Sequence, residues 1–243
     1  DGQQMQFHSY HDAINAGVMS YVIGVDIGTQ STKALLMSIQ GAIVAQATVS
    51  YKVEQPRPLW AQQWPDVWLE AVYESVAAAV AQSQVPASEI KAICVSSLYG
   101  GSGIPVDSDI KPLHPCLIWM DRRAHNEVEW VRQNIDSGNG VDSYYGFTKM
   151  LWIKRNKPEV WAKTRYLLPP NSYVQFHLTG ALTVDHSSAG NIGGVYDINA
   201  RRWSVPLLEA LGIAPELMPQ RLVESSEVVG NLLPDAARRL AHL

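Results

Sequence analysis

The chain has 243 residues, 47% hydrophobic and 17% charged, which is typical of a folded globular protein with one large domain or two small ones. Its formal net charge of −4 gives no electrostatic reason to expect nucleic-acid binding. No apolar run reaches the about 18 residues that suggest a membrane span, so no membrane partner is expected. The two cysteines are too few for a disulfide framework. Both are expected to be buried, reduced thiols in a cytoplasmic protein.

The first 18 residues differ in character from the rest of the chain. They are polar, contain His8 and His11, and show no hydrophobic period. They also lack the basic end and the long apolar stretch of a signal peptide. Met19 would be a natural initiator, so residues 1–18 are expected to be a tag or a disordered extension. A functional arm is the alternative.

The pattern after residue 20 predicts strands followed mainly by helices. Strands are predicted at 21–27, 33–39, 42–51, 91–97 and 104–106, with Gln40 and Gly41 as a hairpin turn. A helix is predicted to begin near Pro65, because proline is tolerated at the first helical position. Further helices are predicted at 122–136, 148–156, 172–178 and 204–211, with loops at 137–146 and 186–194. This order favours an α/β fold with a mixed sheet.

The segment 21–33, Y-V-I-G-V-D-I-G-T-Q-S-T-K, is the most informative part of the chain. Its apolar run is typical of a strand buried on both faces, and Asp26 is expected at the end of that strand. Gly28 allows a tight turn, and the hydroxyls and amides that follow are suited to holding a phosphate beside a carboxylate-bound cation. The alternative interpretation is a β-hairpin with a polar turn.

Other common catalytic motifs are absent from the sequence. It contains no G-x-G-x-x-G, no G-x-x-x-x-G-K-[ST] and no G-x-S-x-G, and its histidines do not have zinc-ligand spacing. Aromatic and polar residues instead follow the predicted strands, around Trp119 for example. Tryptophan faces stack on the C–H surfaces of a polyhydroxylated substrate, while Asp and Arg side chains bind its hydroxyls.

Six segments, taken in this order, resemble the FGGY carbohydrate kinases, the family of xylulose, ribulose, glycerol and gluconate kinases. They are D-I-G-T-Q-S-T-K at 26–33, W-A-Q-Q-W-P-D-V-W at 60–68, W-M-D-R-R-A at 119–124, K-M-L-W at 149–152, L-P-P-N-S-Y…L-T-G at 168–180 and T-V-D-H-S-S-A at 183–189. The second matches W-x-E-Q-x-P-x-x-W, with Gln62 where glutamate is usual. The resemblance covers about residues 20–243.

The resemblance implies a ribonuclease H-like fold, as in actin, hexokinase and Hsp70-type ATPases, with two such domains closing over a cleft. Residues 19–243 would be the first domain, which binds sugar and phosphate. The reaction implied is transfer of the γ-phosphate from ATP to a sugar hydroxyl with Mg²⁺.

The same resemblance places the catalytic base outside this chain. The family's catalytic aspartate, in a G-D-x-x-A segment of the second domain, has no counterpart in this sequence. No catalytic residue is therefore assigned here, and the base is expected beyond Leu243. This chain alone is expected to be inactive.

The resemblance also implies two sets of site residues. The phosphates and metal of Mg·ATP would contact Asp26, which is also the metal ligand, and Gly28, Thr29, Gln30, Ser31 and Lys33. The sugar would contact Ser97, Tyr99, Gly100, Gly101, Trp119, Asp121, Arg122 and Tyr144. The last four also have structural alternatives, with Trp119 as a core tryptophan, Asp121 as a helix cap, Arg122 as a surface arginine and Tyr144 as a packing tyrosine. Lys33 is equally well explained as a solvated strand residue.

One segment departs from the pentulose kinases of the family. Residues 97–102 read S-L-Y-G-G-S where those enzymes have S-G-Q-M-H-G. We interpret the two glycines as a reshaped or roomier sugar pocket, so xylulose is not assigned. The alternative is that the glycines serve only the local backbone.

The expected partner is a small sugar or polyol, and a homodimer is compatible with the sequence. Two other functions stay open. One is a different ATPase reaction on the same fold, and the other is a non-catalytic sugar-binding module.

Overall fold

A computed structural model describes residues 20–98, 101–137 and 140–241. The predicted extension at 1–18 lies outside the described residues, as do Tyr99 and Gly100 of the predicted sugar site. Leu243, beyond which the catalytic base is expected, also lies outside them. The structure therefore leaves these three expectations untested.

The strands lie mainly in the first half of the chain. They are β1 (Tyr21–Ile27), β2 (Ser31–Ser38), β3 (Ile43–Ser50), β4 (Gln62–Gln63), β5 (Ile90–Ser97), β6 (Ile104–Val106), β7 (Cys116–Leu117), β8 (Tyr166–Leu168), β9 (Thr183–Asp185), β10 (Tyr196–Asp197), β11 (Arg202–Trp203) and β12 (Arg221–Val223).

The helices lie mostly in the second half of the chain, as predicted. The α-helices are α1 (Pro65–Ser83), α2 (His125–Asn134), α3 (Gly146–Asn156), α4 (Pro158–Trp161), α5 (Pro170–Thr179), α6 (His186–Ile192), α7 (Val205–Ala210) and α8 (Pro234–Arg239). Short 3-10 helices occupy Ala87–Glu89 and Pro215–Leu217. Within the part of the chain that the structure describes, no helix is both long and apolar enough to cross a membrane.

The main sheet has the strand order β3-β2-β1-β5. The first three strands are antiparallel neighbours, and β5 pairs with β1 in parallel. The predicted mixed sheet is therefore confirmed. A parallel neighbour of β1 needs a crossover connection, and α1 supplies it.

Helix α1 covers one face of this sheet. It begins at Pro65, as predicted, and ends where Gln84 adopts a left-handed φ of 56°. Its buried residues include Trp68 and Val72, which join one core cluster with Ile23 and Val25 of β1. Burial of such large apolar side chains stabilises the layer by about 1.5–3 kcal/mol each.

A second core lies around α3 and is joined to the first through β8. Leu168 belongs to the core under the main sheet, whereas Leu167 packs with Phe147 and Met150 of α3. Because neighbouring residues of a strand point to opposite faces, β8 fixes the position of one core relative to the other. The segments carrying the candidate site residues are thereby held on one framework.

Two sequence expectations were wrong. Cys94 is exposed, not buried, because it alternates with Ile93 and Val95, which pack against the core. The predicted loop at 186–194 is largely helix α6. Its Gly, Ser and Asn residues have low helix propensity, and the helix is stabilised instead by its cap.

That cap is Asp185, whose side chain accepts a hydrogen bond from the Ser188 amide at 3.0 Å. The carboxylate also accepts hydrogen bonds from the Ser188 hydroxyl, the side-chain amide of Asn171 and the Ser225 hydroxyl. Burial alone would raise the pKa of Asp185, but these hydrogen bonds outweigh it and hold the pKa below its usual value of 3.8.

Replacing Asp185 with alanine is expected to lower the free energy of unfolding by about 1–2 kcal/mol at neutral pH. Since the folded pKa is depressed, this contribution is present above the unfolded pKa and is lost as pH falls through the folded pKa. Urea denaturation of both proteins between pH 7 and pH 3 would measure it. Asp235→Ala, on an exposed side chain, is the control. Equal losses in the two variants would contradict the capping role.

Candidate functional site

The 28–31 turn, which joins β1 to β2, is held tightly by its neighbours. The Gly28 amide donates to the Ser31 carbonyl at 2.9 Å, and the Tyr51 hydroxyl donates to the Gly28 carbonyl at 2.7 Å. The Tyr51 amide donates to the Gln30 carbonyl at 2.9 Å. A Cβ at position 28 would lie 3.1 Å from the Ser31 carbonyl oxygen, which explains the glycine. The turn is therefore preorganised.

Two more side chains contact Thr29 itself. Gln63 Nε2 donates to the Thr29 carbonyl at 2.9 Å, and Trp119 Nε1 donates to the Thr29 hydroxyl at 3.0 Å. Among the described residues, the amides of Thr29 and Gln30 have no hydrogen-bond acceptor. Consecutive free amides in a tight turn are suited to binding an anion.

Asp26 and Lys33 lie opposite each other on β1 and β2, at the end of these strands next to the 28–31 turn. Ser96 of β5 is the other neighbour of Asp26. All three side chains are exposed. Asp26 therefore offers an accessible carboxylate at the strand end, as predicted, with a lysine beside it on the same face of the sheet.

Trp119 follows β7, whose pairing with β4 forms a two-stranded ribbon. The same ribbon carries Gln63, so both side chains that hold Thr29 come from one element. The Trp119 side chain is 38% exposed. It therefore presents part of its indole to solvent next to the 28–31 turn.

Asp121, one of the predicted sugar contacts, lies inside the protein and not on this surface. Its side chain is 0% exposed and forms an ion pair with Arg123 Nη2 at 2.7 Å. The carboxylate also accepts from the Ala61 amide at 2.6 Å and from Arg123 Nε at 2.8 Å. The Arg123 guanidinium lies 3.8 Å from the centre of the Trp60 ring. Asp121 therefore fastens the loop after β7 to the segment before β4.

Arg122 and Tyr144 are brought together by Asp142. The Arg122 guanidinium lies 2.9 Å from Asp142 Oδ1, which also accepts from the Tyr144 amide at 2.6 Å. Tyr144 is half-buried, and its ring packs edge-on against Tyr145. Two predicted sugar contacts thus lie on adjoining loops that Asp142 joins through these contacts.

Lys149 supports Tyr144 from inside the protein. Its side chain is fully buried, and Nζ donates to the Tyr144 carbonyl at 2.9 Å. Desolvation by burial lowers the pKa of Lys149 to about 7, although the nearby Cys116 and Asp121 act to raise it. A buried lysine that changes charge near neutral pH thus lies directly behind a predicted sugar contact.

A cleft of about 650 Å³ opens beside the 28–31 turn. Thr29, Gln30, Trp119 and Met120 form one part of its lining, and the remainder comes from residues after β3, namely Tyr51, Lys52, Val53 and Gln55. Predicted phosphate and sugar contacts therefore share one cleft. Asp26 does not line it and lies at the neighbouring strand end instead.

Ser97 and Gly101 border a separate, small pocket of about 20 Å³, roughly the space of one water. Ser97 Oγ accepts a hydrogen bond from the backbone amide of Asn171 at 3.2 Å. A Cβ on Gly101 would lie 2.9 Å from Cys116 Sγ. A Cβ on Gly146 would lie too close to the Gly101 carbonyl oxygen. Close packing therefore accounts for the glycine at 101, which supports the backbone alternative for that position.

Replacing Gly101 with alanine is expected to destabilise the protein by about 1–3 kcal/mol through overpacking. The double variant Gly101→Ala/Cys116→Ala should recover most of the loss, because it removes the sulfur that the new methyl group meets. Gly140→Ala is the control, since a Cβ there meets nothing within 4 Å. Thermal unfolding of the four proteins tests this, and failure of the double variant to recover would contradict it.

Sequence reasoning missed the residues that organise the 28–31 turn. Tyr51 and Gln63 were not predicted as site residues, nor were Lys52, Gln55 and Met120 in the cleft lining. Gln63 and Met120 each lie in one of the six motif segments, and that position in a motif is the signal that could have identified them. Among the described residues, no group of three or more His, Cys, Asp or Glu side chains could hold a metal ion.

Comparison with known proteins decides the family. The sequence model described as the FGGY family of carbohydrate kinases, N-terminal domain, matches residues 21–241. The chain belongs to the FGGY family. The resemblance inferred from the six motif segments is thereby confirmed.

Curated FGGY relatives include kinases with different substrates. A xylulose kinase of Bacillus subtilis (strain 168) is 31% identical over 228 residues, or 91% of this chain and 45% of that protein. A gluconokinase of the same strain is 28% identical over 225 residues, or 90% of this chain and 43% of that protein. The chain thus spans about half the length of the curated relatives that it matches.

Solved FGGY structures confirm the predicted actin- and hexokinase-like fold. The gluconate kinase of Lactobacillus acidophilus superimposes with a TM-score of 0.84 at 26% identity. The superposition includes 92% of this chain and 46% of the gluconate kinase chain. The xylulose kinase of Rhodospirillum rubrum has a TM-score of 0.84 at 27% identity, covering 91% of this chain and 47% of that one.

Proposed function

We propose that this chain is the sugar- and phosphate-binding domain of an ATP-dependent kinase that phosphorylates a hydroxyl of a sugar or polyol. The observation that carries the proposal is the hydrogen bond from Trp119 to Thr29. It joins an exposed indole, which suits a sugar face, to a turn whose free amides suit a phosphate. Xylulose, gluconate and glycerol kinases are among the curated relatives, which supports this substrate class.

Phosphoryl transfer depends mainly on positioning and on neutralising charge. In this proposal the amides of Thr29 and Gln30 bind a phosphate of ATP. Trp119, Arg122 and Tyr144 bind and orient the sugar, and Lys33 contributes positive charge near the strand end.

Mg²⁺ fits the residues present, since it commonly binds through one or two carboxylates together with waters and substrate phosphates. Asp26, exposed and close to the 28–31 turn, is the residue that would hold it. When bound, the ion would neutralise phosphate charge.

A hydroxyl must also lose its proton during transfer, and the family's G-D-x-x-A aspartate is not in this sequence. We therefore propose that the catalytic base lies beyond Leu243, in a second domain such as the unmatched half of the longer relatives. The residues of this chain then bind and orient the reactants without removing the proton.

A thermal-shift experiment with D-xylulose, D-gluconate and glycerol tests sugar binding by this chain. A ligand at about 100 times its Kd stabilises the native state by about 2.7 kcal/mol, which corresponds to a Tm increase of roughly 5–10 °C. At least one compound should raise the Tm of the wild type but not of Trp119→Ala. A lack of any shift, or equal shifts in both proteins, would contradict sugar binding at this cleft. Sugar-dependent ATP turnover by this chain alone would contradict the need for a second domain.

A further inference from the structure

We propose that Gln63 and Trp119 form one clamp on Thr29, and that this clamp transmits phosphate binding at the 28–31 turn to the sugar-facing indole. Gln63 is then a positioning residue. The proposal rests on the proposed function only for the identity of the two ligands, because the contacts of Gln63 and Trp119 with Thr29 define the clamp itself.

The first support is the environment of Gln63. Its side chain is 1% exposed, and Nε2 donates to two carbonyls, those of Thr29 at 2.9 Å and Lys52 at 3.3 Å. Two carbonyl acceptors settle the orientation of the amide, since its oxygen could not replace the nitrogen there. Gln63 thereby ties the 28–31 turn to the segment after β3, and both line the cleft.

The second support is that Gln63 Oε1 is buried with no hydrogen-bond partner among the described residues. An unsatisfied buried acceptor is unfavourable, so the side chain is not explained as a well-satisfied core residue. Its value to the protein lies in the two bonds that its NH₂ group donates.

The third support is the common origin of the two contacts. Gln63 lies on β4, and Trp119 lies two residues after the end of β7. The pairing of these two strands joins the two residues through one ribbon, and the Ile118 amide extends it by donating to the Ala61 carbonyl. The buried pair of Asp121 and Arg123 braces that ribbon. Thr29 is held by its carbonyl and by its hydroxyl from the same ribbon. A ligand that moves the Thr29 amide must therefore either move the Trp119 indole or strain its hydrogen bond to Thr29.

The experiment follows the indole N–H resonance of Trp119 in the ¹⁵N-labelled chain, assigned by its loss in Trp119→Phe. Without ligand, Thr29→Val and Gln63→Ala should each shift this resonance, while Thr29→Ser should keep it near the wild-type position. Gln46→Ala, an exposed glutamine on β3, is the matched control. The other tryptophans serve as internal references.

Inorganic phosphate is then titrated into each protein. In the wild type, Thr29→Ser and Gln46→Ala, phosphate should shift the Trp119 resonance saturably. In Thr29→Val and Gln63→Ala that response should be lost. A wild-type response in Gln63→Ala, or no selective response of Trp119 in the wild type, would overturn the clamp.

If Gln63→Ala does not fold, Gln63→Met and Thr29→Val decide the question in the same way. Gln63→Met removes both bonds that the NH₂ group donates, and Thr29→Val removes the bond from Trp119, each with little change in volume. Sugar-dependent stabilisation without a phosphate response at Trp119 would overturn the clamp and leave the proposed function standing. A phosphate response in a protein that binds no sugar would support the clamp and contradict the proposed function.

Discussion

Replacing Asp121 with alanine is expected to lower the free energy of unfolding by about 3–5 kcal/mol, because it leaves the charge of a buried partner unpaired. That partner is Arg123, whose side chain is only 2% exposed. The change also removes the acceptor of the Ala61 amide. Urea denaturation monitored by tryptophan fluorescence measures the loss, since the Trp60 ring lies against this arginine.

The neighbouring residue provides a matched control. Arg122 pairs with Asp142 at the surface, with side-chain exposures of 41% and 57%. Arg122→Ala should therefore lower stability by less than about 1 kcal/mol. The double variant Asp121→Ala/Arg123→Met should be more stable than Asp121→Ala, because it no longer buries an unpaired charge. A small loss in Asp121→Ala with full loss of sugar binding would instead favour the direct contact predicted from the sequence.

The Lys149→Met variant is expected to lose a pH dependence of stability that the wild type has. The folded pKa of Lys149 is lowered to about 7, whereas the unfolded chain keeps its ordinary value of 10.5. Between these two values the unfolded state binds more protons, so the stability of the wild type rises with pH. The slope from this one group is about 1.4 kcal/mol per pH unit between roughly pH 7 and pH 10.

Chemical denaturation of wild type and Lys149→Met across pH 6–10 would measure this difference. The other charged or titratable groups that influence Lys149 are Cys116, Asp121, Arg122 and Asp142, and they are present in both proteins. Their contributions therefore largely cancel when the two curves are subtracted. Lys33→Met, on an exposed side chain, should retain the wild-type slope. A parallel pair of curves for wild type and Lys149→Met would show that this lysine stays charged throughout.

The prediction from sequence succeeded where structure depends on nearby residues. The hairpin around Gly41 and the start of α1 at Pro65 follow from turn chemistry and hydrophobic period. Helix α6 was missed because its stability comes from Asp185 and its hydrogen-bond partners, not from helix propensity. Cys94 was misplaced because strand composition alone does not say which face is covered.

The sequence by itself determined the family, the mixed sheet and the position of the 28–31 turn, because these depend on local patterns and on motifs in a set order. Only the tertiary structure decided what the side chains do. Gln63 and Trp119 reach Thr29 across 34 and 90 positions of the chain. Asp121 became a buried ion-pair partner and Lys149 a lysine of lowered pKa. The physical reason is that burial and long-range hydrogen bonds, which no local pattern encodes, set the charge and the accessibility of each group.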